Sequence, residues 1–151
     1  MIYADTSFLS ACYVDDAHTE KALAYLEKKS PRLPFVFLHW PELAKAVSAA
    51  SPDADGDWEA IKTDVLAGEK LYAAVLDAER TGKRAAGLLR HYYPRWKKLR
   101  SLDAMHVAAA IECGGKTFLS FDTNSYQRVL AATQKLEVWP PLSEAEKSHL
   151  K

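Results

Sequence analysis

Four acidic residues carry the chemistry this chain could do: Asp5, Glu42, Asp103 and Asp122. Asp5 and Asp122 end short apolar runs, and Glu42 and Asp103 stand in the first turn of helices. Ionised carboxylates gathered on one scaffold repel. Two unit charges about 6 Å apart repel by roughly 3 kcal/mol at an effective dielectric near 20. Four of them are strained by on the order of ten kcal/mol, so the cluster must take up protons, admit a cation or stay well solvated. Hard oxygen donors on a fixed scaffold suit Mg²⁺ or Mn²⁺. Such an ion lowers the pKa of a bound water and neutralises charge on phosphoryl oxygens, which is the chemistry of phosphodiester hydrolysis. Thr6 and Ser120 adjoin the cluster and could orient its ligands. No Cys/His spacing supports zinc.

The elements that must position these acids follow from hydrophobic pattern and punctuation. Residues 2–4 form a short apolar strand that ends in Asp5-Thr6-Ser7, and Thr6 or Ser7 caps a helix through Phe8, Leu9 and Tyr13. A second helix restarts at Asp15-Asp16 and runs to about Lys29. Its acids favour the helix dipole, a better reading of Asp15, Asp16 and His18 than a metal site. Residues 33–38 (LPFVFL) read as a strand buried on both faces, and Pro41 opens the next helix at its first position, with Glu42 in the first turn. Residues 51–56 form a polar loop, Trp58 to Leu66 an amphipathic helix, and Gly68 its stop. Residues 70–76 are read as a third strand, and residues 77–92 as a helix broken before Pro94. Ser101 caps a helix over 102–113 with Asp103 in its first turn, and residues 117–121 form a strand ending at Asp122. His106, one turn on from Asp103, reads as a packed or hydrogen-bonded structural residue. A short helix over 126–132 and a last strand over 136–139 complete the pattern.

Strands alternating with helices predict an α/β fold with a mainly parallel sheet. A helix packed on such a sheet runs opposite to its strands, so helix starts and strand ends share one edge. Open α/β sheets bind ligands at that edge, and all four acids are expected there.

The chain has 151 residues, 48% of them hydrophobic and 26% charged, with a net charge of zero. This fits one domain over 1–141 followed by a polar tail over 142–151. No apolar run approaches the roughly 18 residues of a membrane span, and no signal peptide is apparent. Cys12 and Cys113 lie in apolar segments and are expected as buried, reduced thiols, as in a cytoplasm. Zero net charge gives no argument for nucleic acid, but the distribution does. Residues 80–100 hold eight Lys/Arg and no Asp or Glu, with His91, Tyr92, Tyr93 and Trp96 interleaved. That composition suits phosphate contacts and base stacking, and equally a solvated helix face with a few core aromatics.

The strand ending in Asp5-Thr-Ser, the mid-chain Glu42-Leu, the block Arg100-Ser-Leu-Asp103-Ala-Met-His106-Val-Ala-Ala-Ala and Thr117-Phe-Leu-Ser-Phe-Asp122 together resemble a PIN-domain ribonuclease. The resemblance is greatest to the VapC-type toxins of bacterial toxin–antitoxin pairs. It implies an α/β/α sandwich with a central parallel sheet. It also implies Mg²⁺- or Mn²⁺-dependent RNA cleavage leaving 5′-phosphate and 3′-hydroxyl ends, a homodimer, and a cognate antitoxin whose tail blocks the site. Carried over by position, Asp5, Glu42, Asp103 and Asp122 are the metal-binding, catalytic acids. Thr6 and Arg100 stand beside them. Ser120 stands where the family often has Thr, and Asn124 where it sometimes has a further acid.

Two other readings compete. One is a binding or regulatory module on the same fold without nuclease activity. The other is a phosphoacceptor or phosphatase with an Asp nucleophile. The run Asp5-Thr6-Ser7-Phe8 fits that second alternative poorly, because a second Asp or a positioned Lys would be needed close by.

Overall fold

A computed structural model describes residues 1–151. The elements run β1 (Ile2–Ala4), α1 (Thr6–Tyr13), α2 (Thr19–Lys29), β2 (Leu33–Phe35), α3 (His39–Ala50), α4 (Ala54–Ala67), β3 (Leu71–Ala73), α5 (Ala78–Tyr92), α6 (Ser101–Glu112), β4 (Thr117–Leu119), α7 (Gln127–Thr133), β5 (Glu137–Trp139) and α8 (Glu144–Lys147), with a 3₁₀ turn at Ser148–Leu150. All strand pairs are parallel. The hydrogen-bonded ladders are two, β1–β4–β5 and β2–β3, with β2 lying alongside β1. His39 spans that seam. Its Nδ1 accepts from the Val36 amide at 3.0 Å and its Nε2 donates to the Ala4 carbonyl at 2.8 Å.

Side-chain alternation along the strands divides the core in two. Tyr3 and Phe118 face one side, where they meet Trp96, Leu99, Val107 and Leu130 from the α5–α7 region. Ala4 and Leu119 face the other, among Phe8, Leu9, Leu43 and Ile61 from α1, α3 and α4. This is the expected three-layer α/β/α sandwich. Small side chains make one layer thin: Ala104, Ala108, Ala109 and Ala110 of α6 have no exposed surface, so the helix lies close on the sheet. Trp96 is buried between Tyr92 and Tyr126, both stacked on it, and each large apolar side chain so buried contributes about 1.5–3 kcal/mol.

Several local expectations shift. Asp5 itself caps α1, its Oδ1 accepting from the Phe8 amide at 3.0 Å, where Thr6 or Ser7 was expected. Arg100 holds the cap position of α6 in place of Ser101. Pro41 is the third residue of α3, not the first, because a first-turn residue needs no intrahelical N–H partner and the helix can start at His39. The acids at 15–16 precede α2 rather than open it. Asp53 caps α4 through the Gly56 amide, so the polar loop is only three residues, 51–53. Residues 70–76 do contain a strand, β3. Gly68 stops α4 in the left-handed conformation, φ 70°, that favours glycine there. Leu9 is core, Tyr13 is half-buried with its hydroxyl on Asp64, and Trp40 is exposed. The expected tail is helical over 144–147, and Arg128 and Glu146 tie it to α7. Both cysteines are free and half-buried. No helix is long and apolar enough to cross a membrane.

Candidate active site

Register brings the first acid to the edge. Ala4 pairs with Leu119 and Leu119 with Trp139, so the residues after them, Asp5 and Ser120, emerge together at the C-terminal edge. The Asp5 amide donates to the Leu119 carbonyl at 3.0 Å and the Ser120 amide to the Trp139 carbonyl at 3.0 Å. Asp5 is almost wholly buried, and its carboxylate is ringed by neutral donors. Oδ1 accepts from Ser7 Oγ at 2.6 Å as well as from Phe8, and Oδ2 accepts from Ser120 Oγ at 2.6 Å. Burial raises its pKa more than those donors and the neighbouring His106 lower it. Ser7 also accepts from the Phe121 amide at 2.9 Å, stitching α1 to the end of β4.

Glu42, in the first turn of α3, forms the second group. Its Oε1 accepts from Thr6 Oγ1 at 3.0 Å and from His106 Nε2. The Tyr3 hydroxyl lies 2.7 Å from His106 Nδ1. Burial, above all, raises the Tyr3 pKa well above its ordinary value, so the phenol keeps its proton and donates it to Nδ1. Nε2 then carries the hydrogen given to Glu42. Burial pushes the Glu42 carboxyl up, but His106, Thr6 and the nearby Arg100 outweigh it, and the pKa falls below the ordinary value. No side chain bonds Oε2, which is left open.

Asp103 and Asp122 form the third group, around Arg100. Asp103 Oδ2 accepts from the Arg100 amide at 2.9 Å and from its Nε at 3.1 Å, and Oδ1 from Nη2 at 3.3 Å. The same Nη2 reaches Asp122 Oδ2 at 3.2 Å. The Asn124 amide donates to Asp122 Oδ1 at 3.0 Å, and Ser125 Oγ to Oδ2 at 3.2 Å. Thr6, Glu42, Lys45, Arg100 and Asp103 line one cleft of about 500 Å³.

All four acids therefore lie at one sheet edge, joined through Ser7, Thr6 and Arg100. Their carboxylates form three hydrogen-bonded groups, and no three of the Asp, Glu, His or Cys side chains are arranged as a cage for one ion. The donor set is nonetheless the right one for a hard cation. Four carboxyl groups share the edge with a single guanidinium, and the most buried of them has no cation against it. Four side chains of this network stand outside the sequence-derived site: Ser7, Tyr3, His106 and Ser125. His106 was legible in part, since its i, i+3 spacing from Asp103 puts both on one helix face.

The PIN domain family model matches residues 2–131. Two solved structures share the fold. VapC20 of Mycobacterium tuberculosis, a sarcin-ricin loop cleaving toxin, superposes with a TM-score of 0.68 at 20% identity, over 93% of this chain and 100% of VapC20. FitAcB from Neisseria gonorrhoeae gives a TM-score of 0.61 at 19% identity, over 93% of this chain and 98% of that one. No curated protein sequence matches the chain. The family match runs from β1 into α7 and takes in Asp5, Glu42, Asp103 and Asp122, and the chain belongs to the PIN-domain family.

Proposed function

We propose that this protein is a metal-dependent endoribonuclease, the toxin of a type II toxin–antitoxin pair. The observation that carries the reading is the meeting of four acids at one edge of a PIN sheet, with Asp5 buried among neutral donors only. Asp5, Glu42, Asp103 and Asp122 are the residues to hold Mg²⁺ or Mn²⁺. When bound, the ion supplies a water of lowered pKa and a counter-charge for the phosphoryl oxygens. The chain's own residues do the rest. Ser7, Ser120 and the Phe8 amide hold the Asp5 carboxylate in one orientation. Tyr3 and His106 aim Glu42 and leave its open Oε2 to hold the ion, and the proton of the attacking water passes to solvent. Water adds to phosphorus, the P–O3′ bond breaks, and the 3′ oxygen takes up a proton from solvent in place of the one the water released, giving 5′-phosphate and 3′-hydroxyl ends. Arg100, largely exposed beside Asp103 and Asp122, would meet the phosphate.

RNA, a cognate antitoxin and a second copy of the chain are the partners of this reading, in a cytoplasmic setting. The fold shared with VapC20, a toxin by name, supports the toxin assignment. Incubation with RNA and Mn²⁺ tests it: cleavage that needs both the metal and Asp5 supports the nuclease. Failure to bind Mn²⁺ at millimolar concentration supports a binding module on the same fold instead.

A further inference from the structure

The basic stretch 80–100 separates into two halves. In the first, every cation up to Arg84 is engaged: Arg84 Nε lies 2.8 Å and Arg80 Nη1 3.7 Å from the Glu112 carboxylate, and Lys83 Nζ is 3.3 Å from Glu79. In the second, Arg95 donates to C-terminal carbonyls and Arg100 to Asp103 and Asp122. Arg90, Lys97 and Lys98 make no ion pair or hydrogen bond. The aromatics divide in the same way. Trp96 is buried and Tyr92 stacks on it, so both are core. Tyr93 is 45% exposed, with Lys97 Nζ 4.8 Å from its ring centroid.

Leu89, Arg90, Tyr93, Pro94, Arg100 and Ser101 line a shallow, open hollow with no acid in its wall. Arg100 and Ser101 line both this hollow and the acid cleft, so the two adjoin.

We propose that this hollow is the subsite for the nucleotide next to the scissile phosphate, an inference that rests on the nuclease reading. The base stacks on Tyr93, and the flanking phosphates meet Arg90 and Lys97. Arg100 marks the boundary between subsite and reacting phosphate. Exposed aromatic rings beside unpaired cations bind single-stranded RNA with little regard to sequence, through stacking and counter-ion release.

The test is fluorescence anisotropy with a labelled single-stranded oligoribonucleotide, using the full chain carrying Asp5→Asn so that the probe stays intact. Tyr93→Ala and Arg90→Gln are added singly, and melting curves check the fold. Tyr93→Ala is expected to weaken binding by about tenfold or more, while Tyr93→Phe keeps it. Arg90→Gln is expected to weaken binding and to lower the slope of log affinity on log salt by about 0.7. Parent-like binding in both variants overturns the subsite, as does absence of binding in the parent. In parallel, the unsubstituted chain is assayed for cleavage with Mn²⁺. Cleavage with unchanged binding in the variants removes the subsite and leaves the nuclease. Impaired binding in the variants without cleavage by the unsubstituted chain removes the nuclease and leaves the RNA site.

Discussion

Ser120 Oγ donates to Asp5 Oδ2 across 2.6 Å of space and 115 residues of sequence. The bond joins the ends of β1 and β4, and Ser120 also accepts from the Asp122 amide at 3.1 Å. One buried hydroxyl thus orients the Asp5 carboxylate and holds the backbone at Asp122, both candidate metal-binding acids. Ser120→Ala is expected to weaken Mn²⁺ binding by about tenfold, the scale seen when a ligand loses its supporting hydrogen bond. Ser120→Thr keeps the hydroxyl and is expected to keep the affinity, at a cost of about 1–3 kcal/mol for the extra methyl in a site without exposed surface. Calorimetric titration of both variants decides it; equal affinity in Ser120→Ala removes the role.

Arg100 is the one guanidinium among the four acids, and its side chain is 68% exposed although it binds two carboxylates. It neutralises Asp103 and Asp122 where a metal would otherwise do so, and it is free to swing away. Arg100→Gln is expected to tighten Mn²⁺ binding several-fold, since the competing charge is gone, while weakening RNA binding. Unchanged or weaker metal affinity in Arg100→Gln would contradict the competition.

His39 gives the fold an acid-sensitive seam. Burial, and secondarily the neighbouring His106, depress its pKa from 6.5 to about 3, so the ring is neutral in the folded protein. The unfolded chain binds a proton there below its ordinary value and the folded protein does not. Stability from this group is therefore complete above about pH 6.5 and falls as pH drops toward 3, by up to about 1.4 kcal/mol per pH unit. His39→Gln is expected to be less stable at neutral pH but to flatten that slope, which urea melts across the range measure. A slope identical to wild type would exclude His39 as its source.

Arg128 is nearly fully buried and reaches the Ser120 carbonyl, the Pro140 carbonyl at 2.7 Å and Glu146 Oε2 at 2.8 Å. Glu146→Ala leaves the guanidinium without its counter-charge, and a loss of about 3 kcal/mol is expected. That lowers the melting temperature by about 6–12 °C. Burial raises the Glu146 pKa, but Arg128 and Ser143 outweigh it and hold it below the ordinary value. Its contribution is therefore complete above about pH 4.5 and is lost as pH falls through that lowered value. An unshifted melting point would show that α8 is not fastened by this pair.

The sheet edge was legible because it depends on local signals: an apolar run, an acid, then a capping turn. The strands after Gly68 and Gly115 were found from apolar runs that follow a glycine stop, and the helix bearing Asp103 from its polar start and the Ala-rich apolar pattern after it. The partnerships at the site were not. Asp, Ser and Thr are all good caps, so Asp5-Thr6-Ser7 leaves the capping residue open until the backbone is known. Tyr3 and His106 meet across 103 residues, which no periodicity reports. Arg100 and Asp103 read from the sequence like any exposed i, i+3 pair. Helix α8 is too short for a hydrophobic period, but the Ser143…Glu146 capping box announces it.

The most direct measurement is cleavage of total cellular RNA by the purified protein with Mn²⁺, beside EDTA and Asp5→Asn controls that are melted in parallel. Asp5→Asn keeps the shape of the side chain and an oxygen to accept from the Phe8 amide at the start of α1, so the variant is expected to fold, which its melting curve checks. Discrete fragments from the wild type alone, abolished both by EDTA and by Asp5→Asn, are the expected result. Equal cleavage by a folded Asp5→Asn variant, or intact RNA together with no Mn²⁺ binding by the wild type, would contradict the assignment.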